Sequence, residues 1–420
     1  MHLLIRTKQK TDGIGDQMIS VSWDSTLNHW VHHEKDINVV WGVNNEKVIY
    51  QQEPLYPAFS CKKINSIPAK AGPVIGILSS KKTNLPFVGN LDTFRRLSSY
   101  VHSQGGIVFI FTLEDYLSDS IRGYIHDSSR QQWMRASFPL PDFVYNRIAY
   151  RSDEENPNFH SFIQVLTERG IPFFNRGFFS KWQTYLSFKN HQLLAPHLPE
   201  TKLLTSINDL EHFLKCHRTI IVKPISSSQG KGIFSLTKQE NDQVHYFSNK
   251  GHQTFENLEE MQEIHPLSTN LYLMQPLVNR TEYKGRPYDF RILVQKISDK
   301  WKATGVGVRL AGKGKLTTHV PAGGEILSID DVPIQFDLIE QICEVAGSAL
   351  EQVYRPVGEF SMDLGIDQSD HYWVFEVNSK PMVFDESMIQ MKATEQFYCY
   401  ALDVTGFSAF KHIHSTYHSY

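Results

Sequence analysis

Two short runs late in the 420-residue chain, FSMDLGI (residues 360–366) and YWVFEVN (372–378), are built mostly of core-type residues, yet each carries an acid. Asp363 stands in the first and Glu376 in the second, with Asn378 just beyond. Read with the period of two of an extended chain, Phe360, Met362, Leu364 and Ile366 share one face, and Trp373, Phe375 and Val377 do likewise, which leaves the acids on the other. A hairpin turning at Gln368–Asp370 joins the apolar faces when Met362 pairs with Val377, Leu364 with Phe375 and Ile366 with Trp373. That register sets Asp363 opposite Glu376 and Ser361 opposite Asn378. Opposed Cβ atoms lie about 4.5–5.5 Å apart, and two carboxylates that close raise each other's pKa unless a cation sits between them. The donors are hard oxygens without His or Cys, which favours magnesium or manganese over zinc. Magnesium usually completes its octahedron with water and substrate phosphates, so a nucleotide is expected nearby. The competing reading is an exposed sheet face with scattered acids, and other segments must decide.

RTIIVKPISSSQGKGIFSL (218–236) is an apolar strand ending in Lys223, a Ser- and Gly-rich loop, and a second apolar strand. Gly230 and Gly232 permit close backbone approaches, and Ser226, Ser227 and Ser228 add hydroxyl donors, so the loop can cradle phosphates. It is no P-loop, because the Lys precedes the glycines and a strand follows them; an ordinary hairpin turn is the alternative. NLYLMQPLV (270–278) begins as a buried strand and is interrupted by Pro276, a link between subdomains where backbone near Gln275 and Leu277 could meet an adenine edge. In residues 288–310 a second hairpin turns at Ser298–Lys300. Matching Phe290, Ile292 and Val294 to Val306, Val308 and Leu310 brings Asp289, Arg291 and Arg309 to one polar face. Two guanidiniums there suit bidentate binding of carboxylate or phosphate, although surface arginines on a sheet explain the pattern equally well.

In this order, the features resemble the ATP-grasp superfamily: Lys-Pro and a Gly-rich loop, a hinge strand, Asp-x-Arg, a second Arg, then Asp, then Glu-x-Asn. DFRILVQK, VGVRL, THVPAGGE and FEVNSKP are similar to the ribosomal-protein glutamate ligases and, across nearly the whole chain, to the YheC/YheD endospore coat-associated proteins. The superfamily match spans roughly residues 73–390. The resemblance implies that Lys223 contacts the α- and β-phosphates of ATP under a loop through Ser227, Ser228, Gly230 and Gly232, with Lys181 as an earlier phosphate contact. It places adenine on the backbone of Gln275 and Leu277, ribose on Glu282, and one or two magnesium ions (or manganese) on Asp363, Glu376 and Asn378. Arg309 would stabilise the charge of an acyl phosphate or tetrahedral intermediate, and Arg291 would orient an anionic substrate. Gln275 and Pro276 depart from the hinge common in relatives, and NSKPM has Lys380 inserted before Pro381 and lacks a following Gly.

The implied activity is an ADP-forming carboxylate–amine ligase, with amino acids, peptides or spore-coat proteins as candidate substrates. A non-catalytic nucleotide-binding coat protein and a kinase are the alternatives. The elements that would position these residues follow from the rest of the chain. Residues 1–70 read as a β-rich module, 71–180 as an α/β domain with alternating strands and helices, 181–390 as the ATP-grasp domain and 391–420 as a helical tail. FSKWQTYLSFKNHQLLAPHLPET (179–201) reads as a helix ending near Pro196. With 41% hydrophobic residues, 21% charged and a net charge of −3, the composition is that of a soluble globular protein with no broad basic surface for nucleic acid or anionic lipid. No run approaches a membrane span or a signal peptide, so a cytoplasmic protein is expected; the resemblance implies the sporulating cell or spore coat. Cys61, Cys216, Cys343 and Cys399 suggest neither a disulfide framework nor zinc. His412, His414 and His418 read as a solvated tail.

Overall fold

The computed structural model describes residues 18–42, 45–226, 232–315, 317–318, 320, 323–381 and 384–407. Ser227, Ser228, Gly230 and the three tail histidines fall outside them. The architecture is mixed α/β, and the chain forms two compact units that meet in sequence at Pro172/Phe173 and again at Tyr400/Ala401.

In the first unit, short alternating strands bury Val21, Trp30, Val31, Val39, Trp41, Val48, Phe59 and Cys61. Six of them close into a barrel in the order Met18–Asp24, His29–His32, Lys47–Tyr50, Val39–Trp41, Ala69–Gly72, Ala58–Ile64. Closure leaves no edge strand open, which a module this small needs. The α/β part that follows has Val74–Leu78 flanked in parallel by Ile107–Phe111 and Phe143–Asn146, all three strands fully buried. An antiparallel hairpin, Ser120–Asp127 with Gln132–Pro139, extends one edge, so the sheet is less purely parallel than the sequence pattern suggests.

The second unit carries two antiparallel sheets. The first takes the order β1 (Lys202–Leu203), β6 (Tyr272–Pro276), β2 (Thr219–Pro224), β3 (Phe234–Lys238), β4 (Val244–Ser248), β5 (Gly251–Phe255). Alternation decides its faces: Ile220, Val222, Leu236 and Met274 pack on helices α2 (Ile207–His217) and α3 (Leu258–Ile264), while Lys223, Leu273 and Gln275 face the other way. Pro276 is the last residue of β6, where its missing donor is tolerated inside an otherwise central strand. The second sheet runs β9 (Glu325–Leu327), β8 (Lys300–Leu310), β7 (Arg286–Ile297), β10 (Glu359–Ile366), β11 (Tyr372–Asn378). One face is the core, with Phe290, Ile292, Trp301, Val308, Met362 and Leu364 against helices α1 (Lys181–Lys189) and α4 (Phe336–Tyr354). The helix expected to reach Pro196 stops at Lys189, capped by Asn190, and a separate 3-10 turn covers Ala195–His197.

Helix α4 presents Ile339, Ile342, Cys343, Ala346 and Leu350 as one apolar stripe, and Gly347 lies where the helix meets the Trp301 ring. A Cβ at Gly347 would stand 2.2 Å from Trp301 Cγ. Gly347→Ala gains helix propensity of about 1 kcal/mol but overpacks the core, which typically costs about 1–3 kcal/mol. A lowered thermal midpoint is therefore expected; an equal or higher midpoint would show that the helix can lift off the indole.

Candidate functional site

The face of the second sheet opposite the core carries the charged residues in transverse rows. Cross-strand pairing aligns Gly307, Arg291, Asp363 and Glu376 in one row, and Arg309, Asp289 and Gly365 in the next. Ser361 and Asn378 pair one step along from Asp363 and Glu376. Arg291 grips Asp363 bidentately, with Nε and Nη2 donating at 2.8 and 2.9 Å, and the carboxylate holds the guanidinium still more firmly protonated than usual. Arg309 is buried, and its Nε and Nη2 have no hydrogen-bond partner among the described residues. Burial, reinforced by the nearby Arg291, disfavours its charged form.

Two lysines line a cleft beside Glu376, Lys181 from helix α1 and Lys223 from the first sheet. Lys181 opens helix α1 just after its N-cap Ser180, and its Nζ lies 2.8 Å from Glu376 Oε1. Lys223, at the end of β2, is buried and donates to the carbonyl of Phe375 at 3.0 Å. Burial pulls its pKa down to about 8 against the opposing attraction of Glu376. The cleft is open to solvent and is lined by both lysines, Thr184, Tyr185, Leu198, Thr201, Leu273, Gln275 and Val374–Val377. Asn249, in the β4–β5 turn, donates its side-chain amide to Thr317 and accepts from Lys315 at its carbonyl, tying the two sheets together through their loops.

Asp289 is buried beneath this face, accepting from Thr318 Oγ1 at 2.7–2.8 Å and from Arg280 at 3.3 Å. Burial outweighs these partners and pushes its pKa up to about 6. Its folded pKa therefore exceeds the ordinary 3.8, so the native state binds the proton more tightly, and this contribution to stability falls as pH rises from about 4 through 6. Asp289→Asn removes it. The denaturation midpoint of the variant, relative to the parent, is expected to improve between pH 4.5 and 7; a constant difference would mean that the carboxylate carries no such burden.

The expected register of the late hairpin holds for Ser361–Asn378, Met362–Val377 and Asp363–Glu376, then slips by one. Leu364 faces Val374 and Ile366 faces Tyr372, so the expected pairs Leu364–Phe375 and Ile366–Trp373 do not form. The cause is a β-bulge that inserts Phe375 as an extra residue. Tyr372 and Val374 enter the core instead, and the Phe375 ring turns over Gly365, where a Cβ would stand only 2.1 Å away. The same bulge directs the Phe375 carbonyl to Lys223. In the second hairpin Val306 and Val308 pair with Ile292 and Phe290 and Arg309 stands opposite Asp289, as the face assignment requires, while a bulge between Leu293 and Val294 sets Val294 opposite Ala303.

Lys181, Lys223, Gln275 and Glu376 thus line one cleft, and Glu376 shares its row with Asp363 and Arg291. Gln275 donates its side-chain amide to Thr201 at 2.7 Å, and the Leu277 N–H is committed to the Thr219 carbonyl at 3.0 Å, which leaves the Leu277 carbonyl for other use. Glu282 lies exposed on a short strand pairing with the start of β7 and is not among the cleft-lining residues. Gly232 has φ +74° and closes over Pro224, where a Cβ would sit 2.9 Å from Cγ, a conformation and clearance that favour Gly. Thr201, Thr318, the Phe375 carbonyl, Asp385 and Glu386 were not picked out by sequence reasoning. Thr318 lies in the quoted THVPAGGE, whereas DES at 385–387 reads only as a helix start.

The donor set suits a hard divalent ion. Asp363, Glu376 and the amide oxygen of Asn378 lie at neighbouring positions of one face, and each Asp363 oxygen keeps a lone pair beyond its bond to Arg291. Among the described residues no group of three or more His, Cys, Asp or Glu is placed to hold a metal, so the site falls short of an all-protein cage. Magnesium tolerates such a site when phosphates complete its shell.

Two sheets closing on a lysine-lined cleft opposite rows of acids and arginines are the layout of an ATP-grasp protein. Within that class the chain belongs to the YheC/D-like ATP-grasp family, which it matches over residues 170–404, more than half its length. It is 28% identical over 333 residues to the endospore coat-associated protein YheD of Bacillus subtilis strain 168, covering 74% of this chain and 73% of that one. YheC of the same organism is 25% identical over 311 residues, covering 70% and 86%. Among solved structures, D-alanyl-alanine synthetase A from Vibrio cholerae overlays 80% of this chain and 99% of its own, with a TM-score of 0.49 and 13% identity. No helix among the described residues is long and apolar enough to cross a membrane.

Proposed function

We propose that the protein binds ATP with magnesium in the cleft and joins a carboxylate to an amine through an acyl phosphate, releasing ADP and phosphate. The observation that carries this reading is that Lys181 and Lys223 meet the Glu376 end of the row Arg291–Asp363–Glu376, with buried Arg309 in the neighbouring row. Lys223 and Lys181 hold phosphates, together with the loop containing Ser227, Ser228, Gly230 and Gly232. Gln275 and the Leu277 carbonyl meet adenine, and Glu282 is assigned to ribose. Asp363, Glu376 and Asn378 hold one or two magnesium or manganese ions, which when bound neutralise phosphate charge. Arg291 orients the anionic substrate, and Arg309 supplies buried positive charge where the acyl phosphate and tetrahedral intermediate develop negative charge. The site works by positioning and electrostatics, as phosphoryl transfer generally does.

The test is a screen of amino acids and peptides for stimulated phosphate release from ATP. Release that requires both a carboxylate and an amine supports the ligase. The names of the Bacillus relatives favour association with the spore coat, and the second reading is a coat-associated chain that retains nucleotide without turnover. Nucleotide affinity with no acceptor-dependent release in the same screen would select that reading, and phosphate transfer to a hydroxyl acceptor would select a kinase.

A further inference from the structure

The segment Phe384–Glu386, leading into helix α5 (Ser387–Thr405), lies over the Arg309 end of the charged face. The Arg309 guanidinium sits 5.8 Å from the centre of the Phe384 ring, and its Nη2 is 3.9 Å from Glu386 Oε2 and 4.0 Å from Asp385 Oδ2. Neither distance is a hydrogen bond. The Arg309 side chain is 5% exposed, and its Nε and Nη2 have no hydrogen-bond partner among the described residues. Both carboxylate oxygens of Glu386 are also buried without a hydrogen-bond partner among the described residues. Gly307 makes this approach available, because a Cβ there would stand 2.5 Å from Glu386 Oε1. Buried donors and acceptors are normally paired; here a cation and an anion stop just short of each other. A group presenting acceptor oxygens to Arg309 and N–H donors to Glu386 would satisfy both.

We infer that Glu386, flanked by Asp385, is the subsite for the acceptor, and that the acceptor is a primary ammonium; this rests on the ligase reading above. An ammonium held by Glu386 stands next to an acyl phosphate whose oxygens are held by Arg309. Before attack, one proton passes from the ammonium to the Glu386 carboxylate, which frees the nitrogen lone pair. The nitrogen then bonds to the acyl carbon, and the carbon–oxygen bond to phosphate breaks with its electron pair leaving on phosphate. The second proton lost by nitrogen goes to the departing phosphate, leaving an amide.

The test measures binding of glycinamide, a primary ammonium without a free carboxylate, and of neutral acetamide to the full chain by calorimetry, with magnesium and a non-hydrolysable ATP analogue present. The wild type is expected to bind glycinamide saturably and in preference to acetamide. Glu386→Gln is expected to weaken glycinamide about tenfold or more, since a charge-assisted hydrogen bond is lost. Gly307→Ala, which displaces Glu386 without altering it, should weaken it in the same direction. A wild type that does not distinguish the two probes, or both variants binding glycinamide as the wild type does, overturns the assignment. Trapping by hydroxylamine, with the common amino acids as carboxylate donors, reads the underlying chemistry separately. Absence of hydroxamate from the wild type would refute a ligase that takes these amino acids as carboxylate donors, while selective glycinamide binding would still uphold the amine subsite.

Discussion

Glu376→Gln is expected to remove magnesium-dependent nucleotide binding or turnover while leaving the fold intact. The side chain is 23% exposed in a groove rather than packed in a core, so its replacement by an isostere creates no cavity. Its charge, however, is the counter-ion of Lys181 at 2.8 Å and attracts Lys223. In the proposed site it is also a metal ligand. Loss of a metal-supporting group commonly costs roughly 10–100-fold in metal affinity or activity, and loss of a direct ligand is expected at or beyond the upper end. With the carboxylate gone, two neighbouring ammonium groups retain their attraction for free ATP, so affinity should become less dependent on magnesium as turnover disappears. Calorimetry with and without magnesium, alongside ADP release, reads both effects. Unchanged affinity, turnover and magnesium dependence would count against the metal assignment.

Lys223→Met is expected to sacrifice nucleotide affinity and gain stability. The ammonium is buried at the end of β2, and its folded pKa of about 8 lies below the ordinary 10.5. The native state therefore binds this proton less tightly than the unfolded chain, and at pH 7 it carries the full penalty, on the order of 3 kcal/mol for that gap. The penalty recedes as pH rises from about 8 toward 10.5. Methionine fills a similar volume without charge, so the nucleotide-free variant should melt at a higher temperature than its parent at pH 7, and the advantage should shrink by pH 10. Charge-assisted hydrogen bonds contribute about 1.5–3 kcal/mol, so ATP affinity should fall by roughly 10–100-fold at pH 7. In the parent, affinity should decline as pH climbs past 8 and the side chain loses its charge. A variant that is less stable at every pH would mean that the bond to the Phe375 carbonyl matters more than burial of the charge.

Much of the site was legible because antiparallel strands enforce a period of two. Once Phe290, Ile292 and Val294 are assigned to a core, Asp289 and Arg291 can only lie on the opposite face, and the register that buries Val306, Val308 and Leu310 brings Arg309 alongside. The same rule set Asp363 across from Glu376. It failed at the next residue, Leu364, since a bulge costs little in sequence terms: Trp373 and Phe375 suit a core as well as Tyr372 and Val374 do, and only packing against Gly365 and Lys223 decides which pair goes in. The short extent of α1 was missed for a related reason, because LSFKNHQLL keeps helical spacing past the Asn190 cap.

The sequence alone determined which face of each strand is polar and which chemical groups that face carries, because alternation and side-chain chemistry are local properties. It could not determine which cations compensate which acids. The pairing of Lys181 with Glu376, the bond from Lys223 to the Phe375 carbonyl, the grip of Arg291 on Asp363 and the approach of Glu386 to Arg309 join segments dozens to more than 150 positions apart. Those contacts exist only once two sheets and the segment entering α5 are packed around a common cleft, where burial fixes which charges are close enough to matter.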